Sequence, residues 1–229
     1  MGSGGFFIAG LVASWFLSSR HIQIGVKNGF KSMQDHSYLP LSGVRVIDFG
    51  QQIAGPAVAM VLADLGATVI HIDPPTGAQW KHQANAILNR NKRCLTIDLK
   101  SVQGLDQALQ LIDQADVVLE SFRPGVMQRL GIDFAKLRES RPELITLSVP
   151  GFASNDALRS QWKATEAVVA ATAGAFTDMG FNRVLMGLNP CFSPLPLASS
   201  YTVTLAASSV VLALLARHDS GYGDHIEVP

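Results

Sequence analysis

The chain has 229 residues, of which 48% are hydrophobic and 16% charged, so a sizeable core can form and long disorder is not expected. Basic and acidic side chains number 18 each, a formal net charge of +0, which excludes the basic surface that nucleic-acid binding requires but leaves room for a few local cations around one anionic ligand. Cys94 and Cys191 stand in no CxxC or Cys/His spacing, so no structural zinc or other metal site is expected. They read as buried or partly buried free thiols in a reducing cytoplasm.

The first 38 residues read as a leader or extension outside the fold. Phe6–Leu17 is apolar or small throughout, yet shorter than the roughly 20 residues a transmembrane helix needs. It has neither the basic start nor the cleavage motif of a secretion signal. An extension is the favoured reading and an interfacial anchor the alternative; no firm membrane association is expected. Patterned sequence begins near Leu39.

The segment Leu41–Asp73 predicts one βαβ unit. An apolar strand, Val44–Phe49, enters a polar turn at Gly50–Ala54, and a helix follows with Val58, Val61, Leu62 and Leu65 on its apolar positions. Gly66 ends that helix, and Thr68–Ile72 is the second strand. Such a unit points a helix N-terminus beyond the sheet edge, where a nucleotide phosphate or an acyl-CoA is a natural guest.

A polar loop, Pro74–Arg90, leads to a short strand at Cys94–Leu99. Gly104–Asp113 predicts an amphipathic helix with Leu105, Ala108, Leu109 and Ile112 on one face. Asp116–Glu120 is a continuous apolar run of the kind found in strands covered on both faces. Short helices are expected at Val126–Leu130 and Phe134–Ser140, and another strand at Leu144–Val149. This alternation predicts an α/β fold with a Rossmann-like parallel sheet and flanking helices. Beyond it, Ala164–Phe176 is rich in Ala and Val, and Pro190–Pro196 reads as extended. Ser200–Arg217 predicts a long helix, apolar round most of its girth and therefore expected to be buried on several sides. His225–Val228 opens a strand that stops at Pro229, an awkward end for a complete domain.

The runs VIDFGQQIAGP, LADLGATVIHID, NRNKRCLTIDLKS, ADVVLESFRPGVMQRLGID, LITLSVPGF and RHDSGYGDHIEV, in this order, resemble the class III CoA-transferases, the formyl-CoA, carnitine and bile-acid CoA-transferase family. The resemblance runs from about Leu39 to Val228. It implies the family's large Rossmann-like domain over residues 39–229, cut before the small domain, and two chains interlocked as a homodimer or a second CoA-transferase domain as partner. It also implies coenzyme A or an acyl-CoA as substrate and a small carboxylic acid as acceptor.

By the same resemblance, Gln51, Gln52, Ile53 and Ala54 match the loop that lies against pantetheine and thioester. Lys100 matches a basic residue near the nucleotide end. Ser121 and Phe122 match a pair lining the CoA groove, and Arg129 matches an arginine that pairs with CoA phosphate. A planar guanidinium and a point-charge ammonium suit such an anion. The plain alternatives are solvated surface charges for Lys100 and Arg129, and a core aromatic for Phe122.

The family's nucleophile is an aspartate just before the long apolar helix. Counting back without a gap from Arg217-His218-Asp219-Ser220-Gly221 puts Ser199 in that place, and no Asp or Glu lies between Arg183 and Leu215. Serine cannot form the mixed anhydride that a carboxylate forms, and without an adjacent base its hydroxyl is a weak nucleophile. Ser199 therefore reads as a helix N-cap. Lys163 and Glu166 match a lysine and an acid near the family's active site and are the remaining catalytic candidates, with surface charges as the alternative. A racemase of the same family is disfavoured, because Thr165 stands where its histidine should be.

Three functions follow as expectations. The first is a CoA-transferase domain lacking its own aspartate, as in the N-terminal half of a fused dimethylsulfoniopropionate CoA-transferase/lyase. The second is a non-catalytic CoA-binding scaffold subunit. The third, a dinucleotide enzyme, is disfavoured because Gly50-Gln51-Gln52-Ile53-Ala54-Gly55 lacks the glycine spacing that lets a pyrophosphate approach.

Overall fold

The computed structural model describes residues 39–178, 187, 189 and 195–229. Strands β1 (Arg45–Asp48), β2 (Thr68–Asp73), β3 (Lys92–Thr96), β4 (Val117–Glu120), β5 (Ile145–Ser148) and β6 (His225–Glu227) form one sheet in the order β3-β2-β1-β4-β5-β6. Every neighbouring pair is parallel. The order reverses between β1 and β4, the switch point at which open α/β sheets bind their ligands.

Alternate residues along each strand serve opposite faces. Val46, Val69, Val117, Leu119, Ile145 and Leu147 form one core with Val58, Ala59 and Leu62 of helix α1 (Ala54–Asp64). Ile47, Phe49, Ile72 and Val118 form the other core with Ala108 and Ile112 of helix α3 (Val102–Asp113). Between these two helices lies the short α2 (Asn85–Leu88). On the α3 side follow α4 (Val126–Arg129) and α5 (Phe134–Ser140), which contribute Met127 and Phe134 to that core. Burying the largest of these side chains contributes roughly 1.5–3 kcal/mol each.

Local signals explain the boundaries. Gly66, at φ +104°, turns the chain out of α1, and an added Cβ there would meet Leu39 at 2.5 Å. Ser101 caps α3 by accepting from the Gly104 amide, and Asp133 caps α5 by accepting from the Ala135 amide. The edge strand β3 starts at Lys92, two residues before the expected Cys94.

The stretch Ala164–Phe176 is two helices, α6 (Glu166–Thr172) and α7 (Ala175–Asp178), separated by Gly174 at φ +76°. Helix α8 (Leu197–Ser220) begins three residues before the expected Ser200 and lies against α1 and β5. Its length and mean hydropathy of 1.6 would allow a membrane crossing. It is not buried on several sides: Ala206, Ala207 and Val210 enter the core, whereas Tyr201, Leu205, Leu212 and Leu215 are exposed. Only one stripe is covered because α1, α6 and one sheet face are its principal described neighbours. Cys94 is exposed on β3, contrary to the expected burial, because β3 is an edge strand. Phe6–Leu17, most of Pro190–Pro196 and Cys191 lie outside the described residues.

Candidate functional site

The turn after β1 sits at the switch point and is tied down on both sides. The Gln51 amide donates to Ser121 Oγ at 2.8 Å, and the Ser121 hydroxyl donates back to the Gln51 carbonyl at 3.1 Å. The Gln51 side chain is buried, with Nε2 3.4 Å from the Ile72 carbonyl. Gln52 is exposed at the apex in the left-handed region, φ +66°. Ile53 is the N-cap residue of α1 and Ala54 its first helical residue. No side chain caps that terminus among the described residues, and its first turn contains no acid. The turn needs two glycines: a Cβ on Gly50 or Gly55 would come within 2.8 Å of the other's backbone.

Beneath the turn lies a charged cluster that the sequence reading missed. The side chains of Asp48, His71 and Lys92 are 0%, 3% and 0% exposed. Asp48 Oδ1 accepts from the Gly50 amide at 2.7 Å, while Oδ2 contacts Lys92 Nζ at 2.9 Å and His71 Nδ1 at 2.8 Å. Lys92 also donates to the Pro56 carbonyl at 2.7 Å, and His71 Nε2 lies 3.3 Å from Asp73 Oδ1. Burial alone would raise the Asp48 carboxyl, but Lys92 and His71 outweigh it and hold the group below its usual range. Burial likewise opposes charge on His71, and the bond to Asp48 overcomes it, leaving that imidazole above its ordinary 6.5. The signal in the sequence was a charged residue in the middle of apolar strand text, twice: Asp48 in VIDFG and His71 in VIHID.

Neither expected cation has a hydrogen bond to the turn among the described residues. Lys100 is exposed before α3, its amide donating to Asp98 Oδ1. Arg129 is exposed at the end of α4 and makes no ion pair among the described residues. Both segments follow the C-terminal ends of strands, β3 and β4, on the side where the turn lies. Phe122 packs partly into the second core, and it also lines a cavity of about 260 Å³ that neither the Gln51–Ala54 turn nor Ser121, Lys100 or Arg129 lines. The same cavity takes Glu120, Ser148 and Glu227, aligned in register at the ends of β4, β5 and β6. Burial pushes the Glu120 carboxyl up to about 7, against the Ser148 hydroxyl and the Phe122 amide that favour its ionised form.

At the other corner, Glu166 begins α6 and reaches the first turn of α8. Its Oε1 accepts from the Ala198 amide at 2.8 Å. Its Oε2 accepts from the Ser199 amide at 3.0 Å and from the Ser199 hydroxyl at 2.6 Å. Ser199 is thus not the N-cap; Pro196 holds that position, and Ser199 is the third helical residue. The cap is a carboxylate from 33 residues upstream, a partner that local sequence cannot display. Ser199 thus has the carboxylate of the candidate Glu166 hydrogen-bonded to its hydroxyl. Lys163 is exposed, and its side chain has no hydrogen bond to Glu166 or Ser199.

The profile of CoA-transferase family III matches residues 41–229. The chain belongs to CoA-transferase family III. It is 75% identical over 197 residues to the CoA-transferase/lyase DddD of Marinomonas sp. (strain MWYL1), a match covering 86% of this chain and 24% of that protein. It is 37% identical over 202 residues to the probable fatty acyl-CoA transferase Rv3272 of Mycobacterium tuberculosis, covering 82% and 50%. A crystal structure of Rv3272 superposes with a TM-score of 0.73 at 38% identity, over 82% of this chain and 52% of that one. A CAIB/BAIF family protein from Brucella suis gives 0.72 at 27% identity, over the same shares. The chain therefore spans about half the length of Rv3272 and a quarter of DddD.

Proposed function

We propose that this chain is a CoA-binding domain of a larger CoA-transferase, of the fused transferase/lyase kind, and that it carries no acyl group itself. CoA lies along the switch-point turn Gln51–Ala54 and past Ser121 and Phe122. Lys100 and Arg129 meet its phosphates. The uncapped first turn of α1 favours a negatively charged or strongly polar group beside it. The high identity to DddD over a quarter of that protein supports the fused arrangement. The exposed stripe Tyr201, Leu205, Leu212 and Leu215 supports a covering surface supplied by the rest of the protein, either a second domain or a second copy.

The observation that carries the reading is the Glu166–Ser199 clasp. Acyl transfer by this chemistry needs a carboxylate free to attack a thioester carbonyl. Position 199 offers a hydroxyl, and the neighbouring carboxylate already accepts three hydrogen bonds at the α8 terminus. Glu166 is thereby a cap, and the attacking carboxylate comes from elsewhere in the larger protein. The test is intact-mass spectrometry of the chain after incubation with acetyl-CoA, with and without borohydride trapping. The expected result is an unmodified mass; a stable acyl or CoA adduct, mapped to Glu166 or Ser199, would overturn the reading.

A further inference from the structure

We propose that Asp48, His71 and Lys92 form a positioning network that sets the shape of the Gly50–Ala54 turn, and so of the surface offered to CoA. The inference rests on the CoA reading of that turn. The network grips the turn at both ends. Asp48 holds the Gly50 amide where the chain leaves β1, and Lys92 holds the Pro56 carbonyl where the chain has entered α1. One carboxylate oxygen joins the two, since Asp48 Oδ2 takes both Lys92 and His71. Between the grips, Gln52 keeps a left-handed conformation, which a non-glycine residue retains only where its surroundings dictate it.

Stability alone is a weak reason for such a cluster, because well-packed apolar residues of similar volume commonly serve a core as well or better. Its charges balance when His71 is protonated: Asp48 and Asp73 against Lys92 and the imidazolium. The groups facing His71 are Asp48 from β1, Lys92 from β3, Asp73 on its own strand and the Cys94 thiol opposite it in register. Pro56 of α1 and the loop residues Ala78, Gln79 and Trp80, which line the recess beside it, add no charge. The imidazolium therefore strengthens the hold on Asp48 below its raised pKa, and that support is lost as pH rises through it.

The test is nitrogen-15 NMR of the full chain from pH 5.5 to 9, together with calorimetric CoA titrations of Lys92→Met and His71→Gln. The Gly50 amide resonance is expected to move with the same midpoint as the His71 ring, and that inflection is expected to vanish in His71→Gln. Lys92→Met is expected to bind CoA at least tenfold more weakly while keeping its far-ultraviolet dichroism. Should Lys92→Met fail to fold, the Gly50 response in His71→Gln decides the matter. A Gly50 amide indifferent to the His71 titration overturns the proposal, as does a folded Lys92→Met variant with unchanged CoA affinity. If the unmodified chain binds no CoA, the CoA reading fails separately, and the Gly50 response still reports on the network.

Discussion

The first turns of α1 and α8 differ in what fills them. Both helices pack on the same face of the sheet and against each other. The α1 terminus has no side-chain cap and no acid in its first turn, and its approach is fixed by Ser121 from one side and by the Asp48 network from below. The α8 terminus is filled by Glu166, which satisfies two amides and the Ser199 hydroxyl. A helix N-terminus can hold an anion from outside or be neutralised from within. In this chain the α1 terminus is left open, whereas the α8 terminus, at the corner where family resemblance puts the nucleophile, is neutralised from within. Under the proposed function, the contrast is between a terminus left for CoA and one withdrawn from chemistry.

The sharpest way to break that contrast is to remove the acid below the open terminus. Asp48→Ala leaves Lys92 and His71 buried without their shared partner and is expected to cost about 3–5 kcal/mol of stability, measured by urea denaturation. A loss below about 1 kcal/mol would mean that water or another group already serves those cations. A second variant probes the ligand rather than the fold. Arg129→Ala is expected to weaken CoA binding by about 1.5–3 kcal/mol while leaving thermal unfolding unchanged, because Arg129 is exposed and unpaired among the described residues. Unchanged CoA affinity would remove it from the site.

Glu120 tests the sheet edge beside the open terminus. Its carboxyl is raised from an ordinary 4.5 to about 7, so the folded state binds the extra proton between those values and stability falls as pH rises across that window. Glu120→Gln, which keeps an acceptor for the Phe122 amide, is expected to stabilise the domain by about 1–3 kcal/mol at pH 8 and to do nothing at pH 4. Identical pH–stability curves for the two proteins would contradict this. The smallest expected effect lies at the filled terminus. Glu166→Ala is expected to cost about 0.5–2 kcal/mol, the range for loss of a helix cap, read from the shift in thermal midpoint.

Much of this architecture is legible in the sequence, and the exceptions share a cause. The runs around Val46, Val69, Val118 and Leu147 read as strands because the sheet is covered on both faces by helices. The start of β3 is not legible because Lys92 has the character of a loop residue, whereas its ammonium is enclosed against Asp48 and Pro56. Ser199 suggests a cap because serine is a good one locally, but the cap arrives from Glu166 across the fold. The break between α6 and α7 turns on Gly174, a single residue inside a run of good helix formers. Motif order groups the turn with Ser121, and the two are hydrogen-bonded in the fold, while Asp48, His71 and Lys92 are not legible as a cluster because a buried charge is defined by its partners and not by its neighbours in the chain.

Calorimetric titration of the chain with CoA, with NAD as control, tests the central claim most directly. Saturable heat with CoA and none with NAD is the predicted result. No heat with CoA, or saturation by NAD, would contradict the assignment of the switch-point turn as a CoA site.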